Sequence, residues 1–179
     1  MCLSLYLYDG FWASRQAHEL PTKRGSQDQR KREELVQLRR EVLRSHANAA
    51  AWNASDKAAM AKHYASNVHW VNIVGMHWQG KAQVDQAHRV YFDIMFNGVP
   101  RRLEDIESVV PLPGGAVVAV IRWAIGAFKT PEGQQVLPSR DRMSLVLIPQ
   151  GKDLLIVRGS NVQINEEAQR SDRVVLKPR

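Results

Sequence analysis

The most regular pattern in the chain lies in GKAQVDQAHRVYFDIMF, residues 80–96, where Val84, Ala87, His88, Tyr91, Phe92, Met95 and Phe96 keep an i, i+3, i+4, i+7 spacing. That spacing places all seven on one side of a helix, and Gly98 and Pro100 supply its stop. A longer, more polar helix is predicted from Arg30 to about Asn53, with Leu35, Leu38, Val42, Ala49 and Trp52 on its apolar side. Ser55 is a candidate N-cap for a short second helix carrying Met60 and Tyr64, with Asp56 in its first turn favoured by the helix dipole.

After Arg101 the period changes from 3.6 to 2. Four β-rich runs, RLEDIESVV, AVVAVIRWAIGAF, RMSLVLI and DLLIVRGSNVQI, are separated by the turn clusters PLPGG, TPEGQQ and PQGK. Short turns predict an antiparallel meander, and helices followed by strands predict an α+β domain with about three N-terminal helices packed on the sheet. Val117 to Ile121 is apolar at every position, so both sheet faces need cover. The helices cover one, and a homodimer through the sheet is the economical partner for the other.

In NVHWVNIVGMHWQG, residues 67–80, a two-residue turn at Gly75-Met76 would pair Asn72 with Gln79, Ile73 with Trp78 and Val74 with His77. Under that register His69 and His77 fall on opposite faces, which argues against a metal site.

Charge changes the picture little. The net charge of +7 is concentrated at the ends, because residues 46–168 hold almost equal numbers of basic and acidic side chains. A nearly neutral centre lacks the cationic stripe that nucleic acid requires. The expected organisation is a poorly ordered extension over 1–29, one domain over 30–168 and a basic tail over 169–179. A lone Cys2, no secretory pattern and no long apolar span fit a cytoplasmic protein without disulfides or membrane contact.

The run AWNASDKAAMAKHYASNVHWVNIVGMHWQGKAQVDQAH resembles the opening of a SnoaL-like domain of the SgcJ/EcaC type, within the nuclear transport factor 2-like superfamily. The likeness rests on Ala51-Trp52-Asn53, Trp70-Val71-Asn72, Gly75, Trp78-Gln79-Gly80 and Ala87-His88, with MSLVLI and Ser160-Asn161 near the end. It spans about residues 33–166. The resemblance implies a cone-shaped, strongly curved antiparallel sheet around helices, an internal pocket and a dimer. Superfamily enzymes that move a proton beside a carbonyl use a strand-borne Asp. The nearest candidates here are Asp105 and Asp141, both read as surface-facing.

His88 sits on the apolar face of its helix, where it would serve as a general acid/base or as a hydrogen-bonded structural residue. Asn72, polar within an apolar strand, would bind a ligand oxygen or satisfy a bulge. Arg122, which interrupts the most apolar strand, would polarise a carbonyl or sit in an ion pair. Tyr64, Trp70, Trp78, Phe92 and Trp123 supply flat apolar surface for a ligand, and Asn161 joins them through the resemblance. The expected protein is therefore a pocket protein for a small apolar, aromatic or polyketide-like molecule. It would be cofactor-free, without a metal, and either an isomerase, cyclase or dehydratase-like enzyme or a non-catalytic ligand-binding or dimerisation module.

Overall fold

The computed structural model describes residues 23–45 and 48–174. Most of the expected N-terminal extension, residues 1–22, and the last five residues of the basic tail lie outside the described residues. Helix α1 (Lys23–Ser45) begins earlier than its periodicity predicted. Only its later turns reach the core, where Val42 is fully buried, while Leu35 is 40% exposed. Helix α2 (Asn48–Asn53) ends at Asn53, the predicted limit of the helical pattern. Tertiary bonds anchor its end: Trp52 Nε1 donates to the Val99 carbonyl at 2.9 Å, and the Asn53 amide clasps the backbone N–H and C=O of Arg101 at 2.8 and 2.9 Å.

Helix α3 (Lys57–Ala61) is capped by Asp56 rather than Ser55: the Asp56 carboxylate accepts from the Ala59 N–H at 2.9 Å. Ser55 takes a positive φ of 53°, a turn conformation in which it does not act as the cap. Helix α4 (Lys81–Tyr91) follows the predicted apolar rhythm but widens into a π-helical segment over Phe92–Phe96. Such bulges change which side chains face inward.

Strands β1 (Tyr64–Val71), β2 (His77–Gln79), β3 (Arg101–Pro111), β4 (Val117–Ile125), β7 (Ser139–Gln150) and β8 (Asp153–Gln163) form one curved sheet in the order β2-β1-β8-β7-β4-β3. The predicted meander is present as β3-β4-β7-β8, and a small hairpin, β5 (Phe128–Lys129) with β6 (Gln135–Val136), is inserted in its middle turn. β1 joins β8 in parallel, the one departure from antiparallel pairing in this sheet. Alternation along β4 buries Val117, Ala119, Ile121, Trp123 and Ile125 against the helices, and leaves Val118, Val120, Arg122 and Ala124 half-buried on the outer face.

Gly159 fixes one close approach. A Cβ there would lie 2.3 Å from the Trp70 ring, so the indole rests against bare backbone. Among the described residues no helix is long and apolar enough to cross a membrane.

Candidate functional site

The β1–β2 connection differs from the predicted two-residue turn. His69 pairs with Gln79, Trp70 with Trp78 and Val71 with His77, so residues 72–76 form a five-residue loop. Asn72 causes this: its side-chain oxygen accepts from the N–H of Val74 at 3.1 Å and of Met76 at 2.8 Å. The shifted register puts Trp70 and Trp78 together on the inner face. His69 and His77 share the outer face, where their ring nitrogens are 3.1 Å apart, which corrects the expectation that the sheet divides them.

Between the inner face of the sheet and the helices lies a cavity of about 530 Å³, a size suited to a small organic ligand. Trp52, Trp70, Trp78, Phe92 and Phe96 give it apolar walls. The loop at 72–76 and the β5–β6 hairpin contribute further lining residues.

His88 lines this cavity and stacks on Tyr64, with ring centroids 5.5 Å apart. Its Nδ1 lies 2.9 Å from the Val84 carbonyl, which can only accept, so Nδ1 carries the proton and Nε2 presents a lone pair. Burial pushes its pKa down to about 4, and the nearby Arg101 charge acts in the same direction, against the Val84 carbonyl.

The polar end of the cavity comes from three strands. Arg101 opens β3 with only 8% of its surface exposed, its guanidinium 4.3 Å from the Trp123 ring centroid and 5.0 Å from that of Trp52. Among the described residues its guanidinium makes no hydrogen bond or ion pair. Burial lowers its pKa to about 10, opposed by Asp141, so it stays cationic at neutral pH. Asp141 on β7 is 4% exposed. Its Oδ2 accepts from Asn161 Nδ2 on β8 at 3.2 Å, while Asp141 Oδ1 and Asn161 Oδ1 are buried without a hydrogen-bond partner among the described residues. Burial raises the Asp141 pKa, against the Asn161 hydrogen bond and the Arg101 charge.

The structure thus gathers His88, Asn72, Trp70, Trp78, Phe92 and Asn161 around one cavity. Tyr64 and Trp123 support it from behind, through His88 and Arg101. Arg122 is not brought there. It lies on the outer face, bonded to Glu104 at 3.2 Å and Glu107 at 2.7 Å. Asn72 borders the cavity with its oxygen committed to the turn. Asp105 is on the surface as expected, 3.9 Å from Arg122, whereas Asp141 faces the interior. The alternation in RDRMSLVLI carried the signal for Asp141, since it shares its parity with the buried Met143, Leu145 and Leu147. Arg101 had no such signal beyond its place at the start of a strand.

The chain matches no protein-family model, and no curated protein sequence matches it. Solved structures do match. A protein with a cystatin-like fold from Caulobacter vibrioides is 26% identical over 79% of this chain and 98% of its own, with a TM-score of 0.71. The fold is cystatin-like. A ketosteroid isomerase-like protein from Erwinia carotovora is 14% identical over 74% of this chain and 98% of its own, with a TM-score of 0.58. A nuclear transport factor 2-like protein from Rhodospirillum rubrum is 19% identical over 65% and 91%, with a TM-score of 0.53. At these lower identities the likeness is one of fold, and function has to be argued from the cavity.

Proposed function

We propose that this pocket protein transfers a proton next to a carbonyl on a small apolar or polyketide-like molecule, without a cofactor, in an isomerase, cyclase or dehydratase-like reaction. One observation carries the reading: Asp141 and Arg101, both more than nine-tenths buried, line the same apolar cavity, and Arg101 has no hydrogen-bond partner for its guanidinium among the described residues. In this scheme the substrate carbonyl accepts from Arg101. The Asp141 carboxylate takes a proton from the adjacent carbon, the C–H electron pair becomes a C=C bond, and the former C=O pair moves onto an oxygen held by the guanidinium. Where the enolate is conjugated with a further C=C, return of the proton from Asp141 to the far carbon isomerises the substrate; where a β-hydroxyl is present, the enolate pair expels it and the Asp141 proton leaves with it as water.

His88 holds the wall of the pocket in this scheme and offers Nε2 as an acceptor. A pKa of about 4 makes it a weak base. That same value favours a second reading, a binding module without turnover in which His88 is structural. A homodimer through the outer face belongs to the proposal, supported by the half-buried Val118, Val120 and Ala124 on β4. The test of function is exchange of the α-protons of a bicyclic ketone such as 2-tetralone into D2O, followed by proton NMR. Exchange above the buffer rate supports catalysis, while binding without exchange supports the module.

A further inference from the structure

The outer face of the β1–β2 ribbon carries a feature that the cavity does not use. His69 and His77 lie diagonally across the two strands, and His69 Nδ1 is 3.1 Å from His77 Nε2, with ring centroids 5.2 Å apart. His77 is exposed and His69 half-buried, so solvent reaches the pair. From this geometry we propose that His69 and His77 form a two-histidine site for a divalent transition-metal ion of the copper or nickel type.

Three observations lead there. The first is the distance between the facing nitrogens. At a metal–nitrogen bond of about 2.0–2.1 Å, nitrogens this far apart subtend an angle of roughly 100° at the metal, within reach of the cis positions of a tetragonal ion, and imidazole nitrogens bind copper and nickel strongly. The second is the ligand form. Metals bind the neutral imidazole, and each ring offers one lone pair through the nitrogen that does not carry its proton. The Arg158 guanidinium on β8 repels a cation, so a softer, strongly nitrogen-binding ion is favoured over a weakly held one. The third is pre-organisation. The register is set by the loop that Asn72 closes, so the two side chains are held on one face before any metal arrives.

In the metal-free pair one ring donates N–H to the other. Binding requires that ring to move its proton to its other nitrogen, a change of tautomer with no net proton release, and both rings to turn so that their lone pairs converge on the ion instead of on each other. No group of three or more His, Cys, Asp or Glu suited to a metal occurs among the described residues, so the remaining coordination positions stay open to water or an added ligand.

The test uses the full chain with CuCl2 and NiCl2. Calorimetry should find a copper site in the wild type that weakens at least tenfold in His69→Asn and in His77→Asn, and electron paramagnetic resonance should show two coordinated nitrogens. Without variants, substoichiometric Ni(II) should broaden the ring resonances of His69 and His77 before those of His18, His46 and His63. Unchanged affinity in both variants, or broadening that begins at another histidine, overturns the site.

Discussion

Asn161 donates to one oxygen of Asp141 across 3.2 Å, tying β8 to β7 at the polar end of the cavity. That bond favours the carboxylate form and partly opposes the rise that burial imposes on the Asp141 pKa. Replacing Asn161 with Leu therefore raises the pKa further, and the acid limb of a pH–rate profile for α-proton exchange moves to higher pH. A profile that does not move would mean that Asp141 is not the titrating base.

Arg101 is buried against two indoles, so Arg101→Met keeps an apolar chain in that place and removes the charge. Exchange should fall by about 10²-fold or more, the usual loss when a donor to a developing oxyanion is deleted. Arg101→Lys should rescue little, because an ammonium lacks the planar fork that lies over Trp123. Steady-state exchange rates for both variants decide this. Full activity in the methionine variant would remove Arg101 from the mechanism.

His88 links pH to stability. Its folded pKa of about 4 lies below the unfolded value of 6.5, so between these values the unfolded chain binds the extra proton. Stability is lost as pH falls from about 6.5 to 4 and levels off below. The contribution is about 3 kcal/mol, at roughly 1.4 kcal/mol per pKa unit. Asp141 acts oppositely: its raised pKa means stability is regained as pH falls through the folded value. His63, with a lowered pKa, acts in the same direction as His88. Urea unfolding at pH 4 to 7 of wild type and His88→Gln isolates the His88 part, and the variant should show the shallower dependence. Parallel curves would contradict a buried neutral His88.

Gly159→Ala forces a methyl group into the Trp70 ring, which Trp70 can escape only by leaving its seat on β8. The expected cost is about 1–3 kcal/mol of stability, read from chemical denaturation, with a shifted tryptophan emission. In a Trp70→Leu background the same change should cost much less, because the clash is gone. Additive effects would mean that the contact is not the reason for glycine.

The meander, the amphipathic α4 and the α+β class were legible because each rests on a period of 2 or 3.6 sustained over several residues. The β1–β2 register was not, because Asn72 closes a five-residue loop through its own side chain and hydrophobic pattern carries no trace of that bond. The slip reversed the relation between His69 and His77. Trp70, Trp78, Phe92 and His88 were found at the cavity through their places on apolar faces. Arg122 stood out as a charge in an apolar strand, yet its parity on β4 is that of the outer face, and the Glu104 and Glu107 carboxylates that hold it come from a neighbouring strand. Asp141 was hidden for the converse reason: a charged residue reads as exposed until its parity with Met143 and Leu145 is followed.

The central claim is that Asp141 removes a proton inside this cavity. It is tested most directly by following α-proton exchange of 2-tetralone in D2O with wild type and Asp141→Asn, with binding of the ketone measured by tryptophan quenching in both. The account predicts comparable binding and a loss of exchange of about 10²-fold or more in the variant. Equal exchange by the two proteins would contradict it.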